Sequence, residues 1–106
     1  MNSERLDQLL NFLKDDPNDA FTIYAIATEY NATDPKKALG YYKLLLDAHA
    51  DYLATYYHAA ILYADLGESE FAESTFKKGI VLAQSKNESL ALRELQNAYN
   101  EFLFED

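Results

Sequence analysis

His49 and His58 are the only histidines, and so the only side chains whose ordinary pKa suits proton transfer near neutral pH. His49 stands in the run Asp47-x-His49-x-Asp51, three ligand-type side chains in five positions. Two ligands share a helix face only at i, i+3 or i, i+4, so this run reads as a solvated helix end and no metal is expected. His58 follows Tyr57 and lies in neither a Ser–His–Asp nor a His-Glu-x-x-His context. The chain has no cysteine, which excludes disulfides, thiolate zinc sites and cysteine nucleophiles. The glycines stand singly at 40, 67 and 79, so no phosphate-cradling loop is present. The acid pairs Asp15-Asp16 and Glu68/Glu70 sit where helices end or begin and serve the helix dipole. No reacting constellation emerges, so the chain is read as non-enzymatic, with no cofactor.

Eighteen acids against nine bases give a net charge of −9 over 106 residues. Such a chain repels phosphates and anionic lipid, so neither nucleic acid nor membrane is the expected partner. Lys36-Lys37 and Lys77-Lys78 are the basic doublets, separated by acids, and read as a solvated outer face. No apolar run approaches the ~18 residues of a membrane span. The first residues, MNSERLDQLLNFLKDD, are acidic and amphipathic, unlike a secretory or transit signal, which leaves the cytoplasm as the expected location.

The elements that must carry any site are helical. Leu6, Leu9, Leu10 and Leu13 fall at i, i+3, i+4 and i+7, predicting a helix from Ser3 to Asp15 with Ser3 as its cap. Asp16-Pro17 and Asp34-Pro35 read as two further helix starts, an Asp cap followed by Pro at the first position. Phe21, Ile23, Ile26, Ala27 and Tyr30 mark the second helix; Ala38, Leu39, Tyr42, Leu45 and Leu46 mark the third. The fourth is expected over about Tyr52 to Leu66, ending at Gly67, and Ser69 opens the fifth. Ser85-Lys86-Asn87-Glu88 has capping-box spacing before a sixth helix bearing Leu92, Leu95, Tyr99 and Phe102. With few glycines and prolines and no surviving strand pattern, the fold class is all-α, about six helices joined by short loops as antiparallel neighbours.

An internal repeat runs through these helices. Ile23, Ile26, Ala27 and Tyr30 correspond to Tyr56, Ala59, Ala60 and Tyr63 by a shift of 33, and Ala38 and Tyr42 to Ala72 and Phe76 by 34. The unit is a helical hairpin of 33–34 residues, present twice. Together with Gly67 and Gly79-Ile80, these positions resemble the tetratricopeptide repeat. That family has a large residue, an apolar–small pair and Tyr on its first helix, then Ala, an aromatic and a small–apolar pair on its second. Leu45 stands where the family has a small residue. The resemblance implies antiparallel hairpins stacked as a short right-handed superhelix. The organisation expected is a single domain over 1–106: an N-terminal helix (1–18), repeat one (19–51), repeat two (52–85) and a C-terminal capping helix (86–106).

The resemblance also implies a function: a scaffold-like protein-binding module whose first helices line a concave groove for a peptide. Carried over residue by residue, the groove holds Phe21, Tyr24, Thr28 and Asn31, then Tyr57, Ile61 and Asp65, then Arg93, Asn97 and Asn100. Tyr24 and Tyr57 correspond by the repeat shift of 33 and follow core positions, and tyrosine suits an interface through its rigid area and polar tip. One subclass clamps a peptide carboxylate with lysines, asparagines and an arginine. Tyr24 and Thr28 stand where it has a basic residue and an amide, so this chain departs from it. The partner expected is a protein or peptide, with the chain a monomer or weak homodimer. The alternatives are a structural homo-oligomer packing through its tyrosines or through Phe102-Leu103-Phe104, and, more weakly, a small-molecule-binding or enzymatic helical domain.

Overall fold

The computed structural model describes residues 3–105, Ser3 by its backbone alone, so the Ser3 cap lies outside the described side chains. Among the described residues there are six helices and no strand: α1 Ser3–Asp15, α2 Ala20–Tyr30, α3 Pro35–Ala48, α4 Ala54–Asp65, α5 Ser69–Ser85 and α6 Ser89–Phe104. The all-α reading of antiparallel hairpins holds. The helices form two compact units, α1–α3 up to Tyr52 and α4–α6 from Leu53.

In the first unit, Leu6 and Leu9 of α1 are buried with Ala25 and Ile26 of α2, and Leu10, Leu13, Tyr30 and Tyr41 pack around them. Ile23, Ile26, Ala27, Ala38, Tyr42 and Leu45 form the α2–α3 interior. Leu45 is wholly buried, so this unit accepts a large side chain where the second has Gly79. Asp34 caps α3 as its sequence predicts, accepting from the Lys37 N–H at 3.3 Å with Pro35 at the first position.

The start of α2 corrects the sequence reading. Asp16-Pro17 does not begin the helix; residues 17 and 18 form a turn, and Asp19 is the cap. Its carboxylate accepts from the Thr22 N–H at 3.1 Å and from the Thr22 hydroxyl. Two bonds to one residue hold Asp19 in place, and Asp16 has no such partner three residues on, where position 19 is itself acidic.

In the second unit the repeat positions Tyr56, Ala59, Ala60, Tyr63, Ala72 and Phe76 are buried, as their small-and-aromatic alternation requires. Gly79 is a point of contact: a Cβ there would stand 2.6 Å from Tyr56 Cβ and 3.2 Å from Leu95 Cδ2. Phe76 then fits beside α6, with ring centroids 5.6 Å from both Tyr99 and Phe102. The Tyr99 hydroxyl donates to Glu73 at 3.1 Å, tying α6 to α5.

The turn at 85–88 is a second correction. It is not a capping box but a helix ending: Asn87 takes a left-handed φ of 56°, and the Glu88 N–H returns to the Ala83 carbonyl at 3.0 Å. Gly67, with φ 80°, does the same at the end of α4, where the Glu68 N–H reaches the Tyr63 carbonyl at 2.8 Å. Ser85 bonds backward to the Leu82 carbonyl at 2.8 Å, so its hydroxyl is spent on α5.

Candidate partner-binding site

The second unit carries an open cavity of about 320 Å³ lined by α4 and α6, with Phe76 reaching it from α5. Tyr57, Ile61, Ala64 and Asp65 face it from α4. Their spacings of four, three and one place them on one strip of the helix, beside the strip that buries Tyr56, Ala60 and Tyr63. From α6 come Glu94, Asn97, Ala98 and Glu101, at i, i+3, i+4 and i+7, then Phe102, with Glu105 at the helix end.

Of the ten residues assigned to a groove from the sequence, Tyr57, Ile61, Asp65 and Asn97 line this cavity. Arg93 and Asn100 are exposed on α6 and are not among its walls. The reason is angular. At ~100° per residue, Arg93 and Asn100 lie about 40–60° to one side of Asn97, and Glu94 and Glu101 lie as far to the other. Burial of Leu95 with Phe102 against α5 turns the glutamate side inward. Spacing within α6 leaves the two sides of Asn97 equivalent, because the apolar face of Leu92, Leu95, Tyr99 and Phe102 is centred opposite it, so the sequence of α6 carries no signal that singles out Glu94 and Glu101.

The remaining four belong to α2 of the first unit. Phe21 is exposed, and Tyr24 is half-buried with its ring 5.6 Å from that of Tyr52. The Thr28 hydroxyl donates to the Ala25 carbonyl at 2.9 Å, which spends it on its own helix. Asn31 is exposed and ends α2. Burial, and secondly the neighbouring Tyr52, raise the Tyr24 pKa, so its phenol stays protonated at neutral pH.

Next to the cavity wall, His58 is half-buried on α4 with its ring edge-on to Tyr57. Burial lowers its pKa, and the Glu94 carboxylate opposes that shift without cancelling it. Its imidazole is neutral at pH 7. Among the described residues no lysine, arginine or histidine lines the cavity, whereas Asp65, Glu94, Glu101 and Glu105 do. Lys77 and Lys78 are exposed on α5, as expected of a solvated face. Among the described residues no group of three or more histidines or acids is placed to hold a metal ion, and no helix is long and apolar enough to cross a membrane.

The sequence matches no protein-family model and no curated protein. Solved structures do resemble it. A tetratricopeptide repeat domain protein from Salinibacter ruber, solved in solution by NMR, is 35% identical over 86% of this chain and 93% of its own, with a TM-score of 0.80. A crystal structure of the tetratricopeptide repeat domain protein from Salinibacter ruber is 34% identical over 83% of this chain and 99% of its own, with a TM-score of 0.79. Identity at this level over nearly the whole of both chains, with the repeat positions forming the buried interior, makes this chain a member of the tetratricopeptide repeat family.

Proposed function

We propose that the chain is a non-catalytic protein-interaction module that receives a partner peptide, or an exposed segment of a partner protein, in the α4–α6 cavity. The observation that carries this reading is the convergence of Tyr57, Ile61 and Phe102 with the Asn97 amide on one open hollow. Aromatic and aliphatic walls supply burial, and an amide supplies a donor and an acceptor for a peptide backbone. Truncating a tyrosine at an interface hot spot costs ~2 kcal/mol or more, about thirty-fold in affinity. In a pull-down from lysate read by mass spectrometry, Tyr57→Ala therefore loses the partner with little change in melting. Lys77→Ala and Lys78→Ala retain it. Loss of binding on the lysine changes and not on the tyrosine change would move the working surface to the outer face of α5.

A second reading is favoured by one observation. Leu103 and Phe104 remain exposed at the end of α6, Phe104 at 89%. Self-association through that end is checked by light scattering across concentration, where Phe104→Ser would return a dimer to monomer.

A further inference from the structure

We infer that the occupant of the α4–α6 cavity is a cationic peptide segment, carrying two or more lysines or arginines in extended conformation. The inference rests on the reading of this cavity as the partner site. Its charge is one-sided: Asp65, Glu94, Glu101 and Glu105 line it, and among the described residues no basic side chain does. A cation entering the hollow meets carboxylates along its length and no charge of its own sign among the described lining residues. The walls between the acids are apolar. Tyr57, Ile61 and Phe102 offer aromatic and aliphatic surface to the methylene stem of a lysine or arginine, while its head meets a carboxylate.

The acids are also spread out. Glu94 to Glu105 is eleven residues of α6, about 16 Å of rise at ~1.5 Å per residue. An extended peptide covers that distance in about five residues at ~3.3 Å each. The cations of the segment thus stand at alternating positions, on the side that faces α6, and Asn97 between Glu94 and Glu101 is placed for the peptide backbone. A lone metal ion does not fit this arrangement, because among the described residues the acids are too dispersed to form a coordinating group. Nucleic acid and anionic lipid have the wrong sign.

The test is selection of random nine-residue peptides displayed on phage against the full chain, followed by calorimetric titration of the enriched peptides. The expected result is enrichment of peptides with net positive charge and lysine or arginine at alternating positions. Their affinity falls about tenfold between about 50 and about 300 mM salt. Glu94→Gln with Glu101→Gln weakens them about tenfold. Asp15→Asn with Asp16→Asn, two exposed carboxylates in the other unit, changes affinity less than twofold, which separates the cavity from the general charge of the chain. The salt dependence of the unaltered chain stands as the readout if the glutamine variant folds poorly. Neutral or acidic peptides that Tyr57→Ala releases would overturn the cationic partner and leave the cavity as the partner site. Failure to enrich any peptide, peptides indifferent to Tyr57→Ala, or a dimer that Tyr57→Ala dissociates would overturn both.

Discussion

Gly79 and Gly40 sit in neighbouring repeats, and the same substitution has opposite consequences at the two. Both are inside helices, where alanine gains up to ~1 kcal/mol over glycine through backbone entropy. At Gly40 nothing lies within 4 Å of an added Cβ, so Gly40→Ala raises the melting temperature. At Gly79 the added carbon meets Tyr56 Cβ at 2.6 Å, and both partners are fixed in a buried contact. Overpacking of that kind costs ~1–3 kcal/mol, so Gly79→Ala lowers the melting temperature despite its helix propensity. Thermal unfolding by circular dichroism compares the two directly, and a rise at Gly79 would mean that Tyr56 of α4 does not press on α5 there.

His58 gives the chain a pH dependence whose sign follows from burial. Its folded-state pKa lies below the unfolded value of ~6.5, so below about pH 6.5 the unfolded chain binds more protons than the folded one. The stabilisation is complete above the unfolded pKa and is lost as pH falls toward the folded one. Melting midpoints between about pH 7.5 and 5 should therefore fall more for the unaltered protein than for His58→Gln. Equal falls would show that the histidine does not contribute.

At the scale of the element, the endings of α4 and α5 are one device used twice. Each places a residue in the left-handed region and returns the following glutamate N–H to the last turn. Glycine does this without cost at 67; Asn87 does it at φ 56° with a Cβ present. Asn87→Gly is expected to stabilise by ~0.5 kcal/mol, and Gly67→Ala to destabilise by ~1 kcal/mol, in urea unfolding. The α6 element is needed for its unit. Phe76 is 1% exposed because Tyr99 and Phe102 lie against it, and Gly79 is covered by Leu95. A chain ending at Ser85 would open this face to water. It should lose cooperative melting and bind a hydrophobic dye, whereas a fragment as stable as the whole would make α6 an appendage.

For the whole molecule, charge governs encounters. A net charge of −9 opposes the counterion release that drives proteins onto DNA. At about 0.15 M salt, fluorescence anisotropy should show no binding to a plain labelled duplex. Tight binding there would contradict the sign argument that also underlies the cationic partner.

Much of the fold was legible in the residues, because helix periodicity and the repeat are local statements. Ala27, Ala38, Ala60 and Ala72 are small where backbones approach, and Tyr42 and Phe76 fill the space beside them; each is buried as its type demands. Asp34-Pro35 announced a helix start because cap and first turn lie within four residues. The Asp16-Pro17 start failed because a second acceptor, Asp19, stood three residues before Thr22 and took its N–H and hydroxyl together. The cavity was only half legible. Asn97 and Tyr57 could be placed on helices from spacing alone, but the rotation of α6 about its axis was not a property of α6. Leu95 docking on Gly79, with the rings of Tyr99 and Phe102 on Phe76, sets that rotation, and all of these contacts join different helices. A turn of about 100° exchanges Arg93 and Asn100 for Glu94 and Glu101, and so reverses the sign of the charge a partner meets.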